Sequence, residues 1–141
     1  FVFAPESLLF LQKGGRIGKA AALIGNMISL TPVLTVNDGE ASTFSKCRTQ
    51  KKALAKMLQV LGEDTAPSGL KNLVVHYIGS KAPAAKWAEE KVAPLIGFMP
   101  RVVPASPVIG VHVGPAMGIA YECNAPIPNK FHNSEPEIII C

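Results

Sequence analysis

Apolar positions along the chain change their period several times, and each change marks a new element. "FVFAPES" opens with a short apolar run of strand character, because aromatic and β-branched residues suit a pleated, half-buried surface. A chain that opens inside a strand reads as a fragment of something longer. Ser7 is placed to cap a short helix, "LLFLQK", and Gly14 and Gly15 to close it in a C-terminal turn. From Lys19 to about Leu30 the pattern is helical again but apolar nearly all round, which implies burial or a pocket wall. "PVLTVNDGEASTF" sets two β-rich runs about Asp38-Gly39, the favoured pair for a tight hairpin turn.

From about Thr49 to Leu61 the period is 3.6. Ala53, Leu54, Met57, Leu58 and Leu61 share one face, while Lys51, Lys52, Lys56 and Gln59 lie off it. "TAPSG" reads as a loop and "NLVVHYI" as a strand. Pro83 opens another helix in its first turn, with an apolar face through Ala88, Val92, Leu95 and Ile96. Pro94 is expected to end or kink it. "RVVP" is a short strand, and "VIGVHVGPAMGIAYE" a further strand-and-turn segment. The last stretch, "CNAPIPNKFHNSEPEIIIC", reads as an extended tail whose "EIIIC" suits an edge strand. Strands alternating with helices imply an α/β domain, and the hairpin makes its β-sheet mixed, flanked by helices.

Composition narrows the picture. The 141 residues suit one domain, and 48% hydrophobic content is rich for that size. No apolar run reaches the roughly 18–20 residues that span a bilayer, so no stable membrane insertion is expected. The longest candidate, "AAALIGNMISLTPVLTV", is broken by Asn26, Ser29 and Pro32. The opening residues carry no basic region or cleavage-type end of a signal peptide. The apolar surplus therefore points to a deep core, an apolar ligand pocket or a buried interface. The formal charge of +4 is concentrated between Lys13 and Lys56, with eight basic residues against Asp38 and Glu40. Such a stretch is a solvated face or a contact for an acidic partner, an anionic ligand or nucleic acid. With only 6% aromatics, no stacking platform interleaves it, which argues against nucleic acid. Cys47, Cys123 and Cys141 form no C-x-x-C, so neither a zinc knuckle nor a redox pair is expected, and a reducing cytoplasm is the expected compartment.

Candidate chemistry is sparse. "KGGRIGKA" has the glycines and lysine of a phosphate-binding loop but not its spacing, and Ala20 stands where a metal-binding hydroxyl is needed. Its better use is Arg16, a guanidinium presented from a glycine turn, suited to hold a carboxylate or phosphate bidentately; an exposed arginine near a helix end is the plainer alternative. His112, read as extended in "GVHVG", shares its face with Gly110 and Gly114 and would stand in open space, ended by Pro115. The alternative is a partly buried histidine bonded to a carbonyl. One arginine and one histidine among apolar segments suit a ligand with an anionic head and an oily tail. His76 reads as a satisfied strand histidine, and His132 has no visible partner. The histidine spacing supports no metal site, and no G-x-S-x-G elbow or cysteine signature supports nucleophilic catalysis. Trp87 and the methionines 27, 57, 99 and 117 read as packing residues.

Three motifs in order carry a further reading: "SLLFLQKGGRIGKAAALIGNMISLTPVLTVNDGE", a stretch ending "KCRTQKKAL", and "VIGVHVGPAMGIAY". Together, from Phe1 to Tyr121, they resemble the C-terminal half of the DegV family, bacterial cytoplasmic fatty-acid-binding proteins. The resemblance implies the C-terminal domain of a two-domain α/β protein, residues 1–121, followed by a tail, 122–141, of unknown role. It implies a long-chain fatty acid held between domains, with Arg16 and His112 at its carboxylate and Gly14, Gly15, Gly110, Gly114 and Pro115 shaping the loops around it. The apolar run Ile17, Leu23, Ile24, Met27 and Ile28 is then the candidate acyl wall. The N-terminal domain, absent from this chain, would supply the rest of the carboxylate site. Where the family usually has a glycine after the proline of its H-x-G-P segment, this chain has Ala116. Some DegV-like proteins present the fatty acid to a separate kinase subunit, which would make this chain a carrier without cofactor or catalysis. Two other readings stay open. The fold is related to the substrate-binding subunit of dihydroxyacetone kinases, which would make His112 a nucleophile toward a small carbonyl compound. Or the apolar surplus covers an interface, such as that of a homodimer.

Overall fold

The first strand, β1 (Val2–Pro5), is buried at every residue, which places it inside a sheet and covers it on both faces. The computed structural model describes residues 1–26, 30–37, 39–127 and 139–140, without the side chains of residues 22, 24–26 and 139–140. Met27, Ile28, Asp38 and His132 lie outside this description, as does the side chain of Ile24. After β1 come α1 (Leu9–Lys13), a 3₁₀ segment (Gly18–Asn26), β2 (Thr31–Asn37) and β3 (Glu40–Cys47). Next are α2 (Gln50–Ser68), β4 (Leu70–Ile78), α3 (Lys81–Trp87), a π turn (Ala88–Val92) and α4 (Ala93–Ile96). The chain continues through β5 (Arg101–Pro104), α5 (Pro107–Val113), β6 (Ala116–Cys123) and β7 (Ile139–Ile140).

The strands form one seven-stranded sheet in the order β5-β4-β6-β1-β2-β3-β7. β4 with β5 and β3 with β7 run parallel, and the other neighbours are antiparallel. The sheet is mixed, the β2–β3 pair is a hairpin closing on Asn37 opposite Glu40, and Ile139–Ile140, within the expected edge-strand segment, pairs at the edge of the sheet. Strand periodicity separates two cores. Val2, Val33, Leu73, Val75 and Ile119 face α2, α3 and the π turn, where Met57, Leu61, Trp87 and Val92 meet them. Phe3, Leu34 and Ala116 face the opposite way, toward Leu8, Leu11, Leu23 and Val113. Helices therefore cover both faces, and the second face carries α1, the 3₁₀ segment and α5.

Several elements differ from their sequence patterns for identifiable reasons. Leu9, not Leu8, begins α1, and Ser7 Oγ accepts a hydrogen bond from its N–H at 3.2 Å. The described part of the Lys19–Leu30 run belongs to a 3₁₀ segment, Gly18–Asn26; it lies against β3, where a Cβ on Gly18 would stand 2.9 Å from the Ala41 carbonyl oxygen. α2 is capped by Thr49, whose hydroxyl accepts from Lys52 N–H at 3.2 Å. It runs on through the expected loop "TAPSG" because the residues after β6 bind its end. Asn124 and Ala125 donate to the Gly69 and Ser68 carbonyls at 2.9 and 3.0 Å. Pro94 neither ends nor breaks its helix. The preceding π turn inserts a residue where the proline ring would crowd the carbonyl four residues back, and the helix continues to Ile96. That insertion turns Leu95 to solvent while Ala88 and Val92 stay buried. Met99 is exposed just beyond, unlike the core residues Met57 and Met117. Among the described residues, no helix is long and apolar enough to cross a membrane.

Candidate functional site

Two helix C-termini meet on the second face of the sheet. α1 ends in a glycine turn: Gly14 N–H bonds to the Phe10 carbonyl at 2.9 Å, Gly15 N–H to Gln12 at 3.1 Å and Arg16 N–H to Leu11 at 2.9 Å. Gly15 has φ +67°, a left-handed conformation that glycine adopts without steric cost. The turn presents Arg16 to solvent, where its guanidinium Nη1 donates to the Gly14 carbonyl at 2.7 Å. Among the described residues no carboxylate pairs with it; Glu122 and Glu90 pair with Lys71 and Lys86 instead.

His112 does not stand in an extended strand. Ser106 caps α5, its hydroxyl accepting from Ile109 N–H at 3.4 Å, and Pro107 occupies the first turn. A serine-proline start outweighs the strand preference of the valines that follow. His112 falls in the last turn of α5, half-buried, with its imidazole against Gly14 rather than in open space. A Cβ on Gly14 would stand 2.5 Å from His112 Nδ1, so only a glycine admits the ring there. That Nδ1 is buried with no hydrogen-bond partner among the described residues. The packing is reciprocal: Gly114, at φ +69°, leaves room for the Phe10 ring, which a Cβ would strike. Gly110 lies against Ile78, and Pro115 accepts a hydrogen bond from Glu6 N–H at 2.9 Å where β6 begins. The structure thus brings the glycine turn that carries Arg16 into contact with His112.

The flank of α5 away from α1 covers an apolar cavity of about 300 Å³. Ile109 and Val113, one turn apart, form its roof; Phe3, His76, Ile78, Ala116, Met117 and Gly118 belong to its floor and walls, with Phe1 and Val36 at the rim. Gly118 belongs to the sheet row that forms the floor. It pairs with Phe3 of β1 on one side and His76 of β4 on the other, so the middle of that row has no side chain. Phe1 stacks on Phe3 with ring centroids 5.4 Å apart. His76 Nδ1 is also buried with no partner among the described residues, and burial lowers the pKa of the ring below its ordinary 6.5.

Of the acyl-wall candidates, Ile17 and Leu23 pack in the second core and do not line this cavity; Ile24, by its side chain, and Met27 and Ile28 fall outside the description. The reading of His76 as a satisfied strand histidine holds for the strand and fails for the hydrogen bond. A glycine inside the strand pattern "AMGIAY" was the signal for a close approach of the neighbouring strand, and a Cβ there would stand 2.8 Å from Phe3 Cβ. Its neighbour His76 lies about forty residues earlier in the chain and is found only through the β4–β6 register. Among the described residues no cluster of His, Cys, Asp or Glu could hold a metal ion.

Comparison with known proteins fits this geometry. A family model described as an uncharacterised protein, DegV family, matches residues 1–124. A DegV domain-containing protein of Clostridium acetobutylicum is 46% identical over 127 residues, which are 86% of this chain and 42% of that protein. The crystal structure of DegV from Bacillus subtilis, a fatty acid binding protein, is 33% identical with a TM-score of 0.67, over 86% of this chain and 43% of that one. A stearic-acid-binding protein from Eubacterium ventriosum is 25% identical with a TM-score of 0.74, over 87% and 44%. This chain therefore spans less than half the length of the relatives it matches. With one family model covering it from Phe1 nearly to the end of its described fold, the chain belongs to the DegV family.

Proposed function

We propose that this chain is the acyl-holding part of a fatty-acid carrier. The observation that carries the reading is the adjacency, across one short helix, of an apolar cavity and a turn whose guanidinium has no carboxylate partner, beside a histidine whose Nδ1 has no hydrogen-bond partner, among the described residues. The cavity under Ile109 and Val113 takes the acyl chain, and Arg16 with His112 takes the carboxylate. About 300 Å³ is at the lower end of small-molecule sites, as befits a chain spanning under half of its relatives. A further domain of the longer protein would complete the head-group site over the exposed Arg16. Each buried methylene contributes about 0.8 kcal/mol, so roughly ten of them outweigh the cost of ordering a flexible chain. The apolar lining disfavours a small, polar carbonyl substrate, and with it a nucleophilic His112. The protein then binds and presents rather than catalyses, and a separate kinase acting on the exposed carboxylate is the fitting consumer of its cargo.

Organic extraction of the intact purified protein, followed by mass spectrometry, tests the reading: near-stoichiometric long-chain fatty acid is expected. Arg16→Ala and His112→Ala should each weaken fatty-acid binding roughly ten- to a hundredfold, since a charge-assisted or desolvated hydrogen bond contributes about 1.5–3 kcal/mol. Unchanged affinity in both variants would remove these residues from the site.

A further inference from the structure

Register gives the cavity a direction. Its lining takes Val36 from β2, Phe3 from β1, Gly118 from β6, His76 from β4 and Pro104 from β5. These are five consecutive strands of the sheet, so the cavity runs across the strands and not along them. Four steps of about 4.8 Å between neighbouring strands give it a span of about 19 Å. The helix above it tells the two ends apart. α5 carries His112 in its last turn, while its cap, Ser106, follows directly on β5. Gly18, two residues past Arg16, lies against Ala41, the strand partner of Val36. The head-group end is therefore the one at β1 and β2. The far end is the connection from β5 to α5, residues 104–106.

Among the described residues nothing closes that far end. β5 is the outermost strand on its side. Pro104 and Ser106 are exposed, and Ala105 between them is half-buried. Ile109, whose N–H bonds to the Ser106 hydroxyl at 3.4 Å, is 51% exposed. An end of this kind treats surplus length differently from a closed one. A chain pressed against a wall overpacks it, whereas a methylene that emerges is no worse off than in water.

We propose that the acyl chain lies across the sheet with its far end at residues 104–106, where surplus length passes out. The site then takes long chains without an upper limit of length and tolerates a bulky group on the terminal carbon. This rests on the fatty-acid reading above and sets its substrate class. Ala105 is the specificity-determining residue, a small side chain at the exit where a large one would make a wall.

Displacement of radiolabelled hexadecanoate from the intact delipidated protein by the saturated series from decanoate to docosanoate tests this. Each methylene inside the cavity should tighten binding up to about fourfold, and each one past the exit should change it less than about twofold. Ala105→Trp should weaken docosanoate binding roughly tenfold or more and leave decanoate unchanged. A hexadecanoate carrying pyrene on its terminal carbon reads the wild type directly, whatever the substitution does to folding. Its pyrene should be quenched by iodide while the acid stays bound. A sharp optimum of length in the wild type, or a bound pyrene shielded from iodide, overturns the proposal and leaves the carrier reading intact. So does an Ala105→Trp variant that weakens both acids alike or neither. Binding of no acid in the series overturns both readings.

Discussion

Gly14 and Gly114 set how closely α1 and α5 approach, and they do so by different means. At Gly114 the backbone itself requires glycine: φ is +69° and ψ −166°, and an added Cβ meets the Phe10 ring. At Gly14 the backbone is ordinary helix, φ −78°, and the only obstruction is His112 Nδ1 with the Phe10 carbonyl behind it. Replacement by alanine should therefore separate two effects. Gly114→Ala combines a strained backbone with overpacking and should lose about 2–4 kcal/mol in denaturant unfolding. Gly14→Ala only needs the imidazole to turn away; it should lose less stability and show most of its effect as weaker fatty-acid binding. Equal losses in both would mean that the His112 contact is structural only. At this scale the sequence was informative where a residue's meaning is local. Arg16 on a glycine turn could be read from four letters, and so could Ser7 at the start of α1. The place of His76 in the cavity wall beside Gly118 and Phe3 could not, because only the sheet brings those three together.

Elements were legible to the extent that their own residues decide them. The hairpin and β4 follow their patterns because burial and periodicity agree; α2 follows its pattern except at Lys56, expected off the apolar face but buried, its ammonium donating to Gln59 Oε1 at 3.1 Å. α5 was read as a strand because valines and isoleucine fill it, whereas the Ser106–Pro107 start decides its conformation. α2 outlasts its pattern because a distant segment secures its end, and a second tie acts from β6. There the Tyr121 hydroxyl donates to Asp64 Oδ2 of α2 at 2.6 Å. Burial, then this bond to the carboxylate, raise the tyrosine pKa far above its ordinary 10. A group with a raised folded pKa gives stability below its unfolded pKa and loses it as pH climbs. Above pH 10 the unfolded tyrosine ionises while the folded one holds its proton, so unfolding gains. Melting temperature should therefore fall as pH rises past 10, and Tyr121→Phe should weaken that fall. At neutral pH the same change should cost about 1–3 kcal/mol, since a bond to a carboxylate is lost. A variant as stable as wild type at neutral pH would show that this tie does not hold α2 to the sheet.

At the scale of the molecule, alternation predicted a mixed sheet between helices, and that is the architecture. It did not predict which helices share a face, because sidedness depends on strand order, and strand order here places β6 between β4 and β1. That order makes the cavity and also the surface above it. On α5, Val108 and Val111 are 72% and 71% exposed, and on the neighbouring α1 Leu9 and Phe10 are exposed too. Proteins rarely leave a contiguous apolar patch of more than a few hundred Å² to water. Relatives more than twice as long have further chain available to cover the corresponding face. Taken alone, this chain should meet the same demand by pairing with itself. Sedimentation velocity on the chain alone should show association that grows with concentration. The double change Val108→Lys and Val111→Lys should suppress it without lowering the melting temperature, because neither side chain contributes to the core. Lysines on adjacent copies would repel and would need costly desolvation to approach. If the doubly substituted chain associated as strongly as the original, self-contact would have to run through another surface, such as exposed Leu95, Phe98 and Met99 at the end of α4. The face over Arg16 would then need no cover to remain in solution.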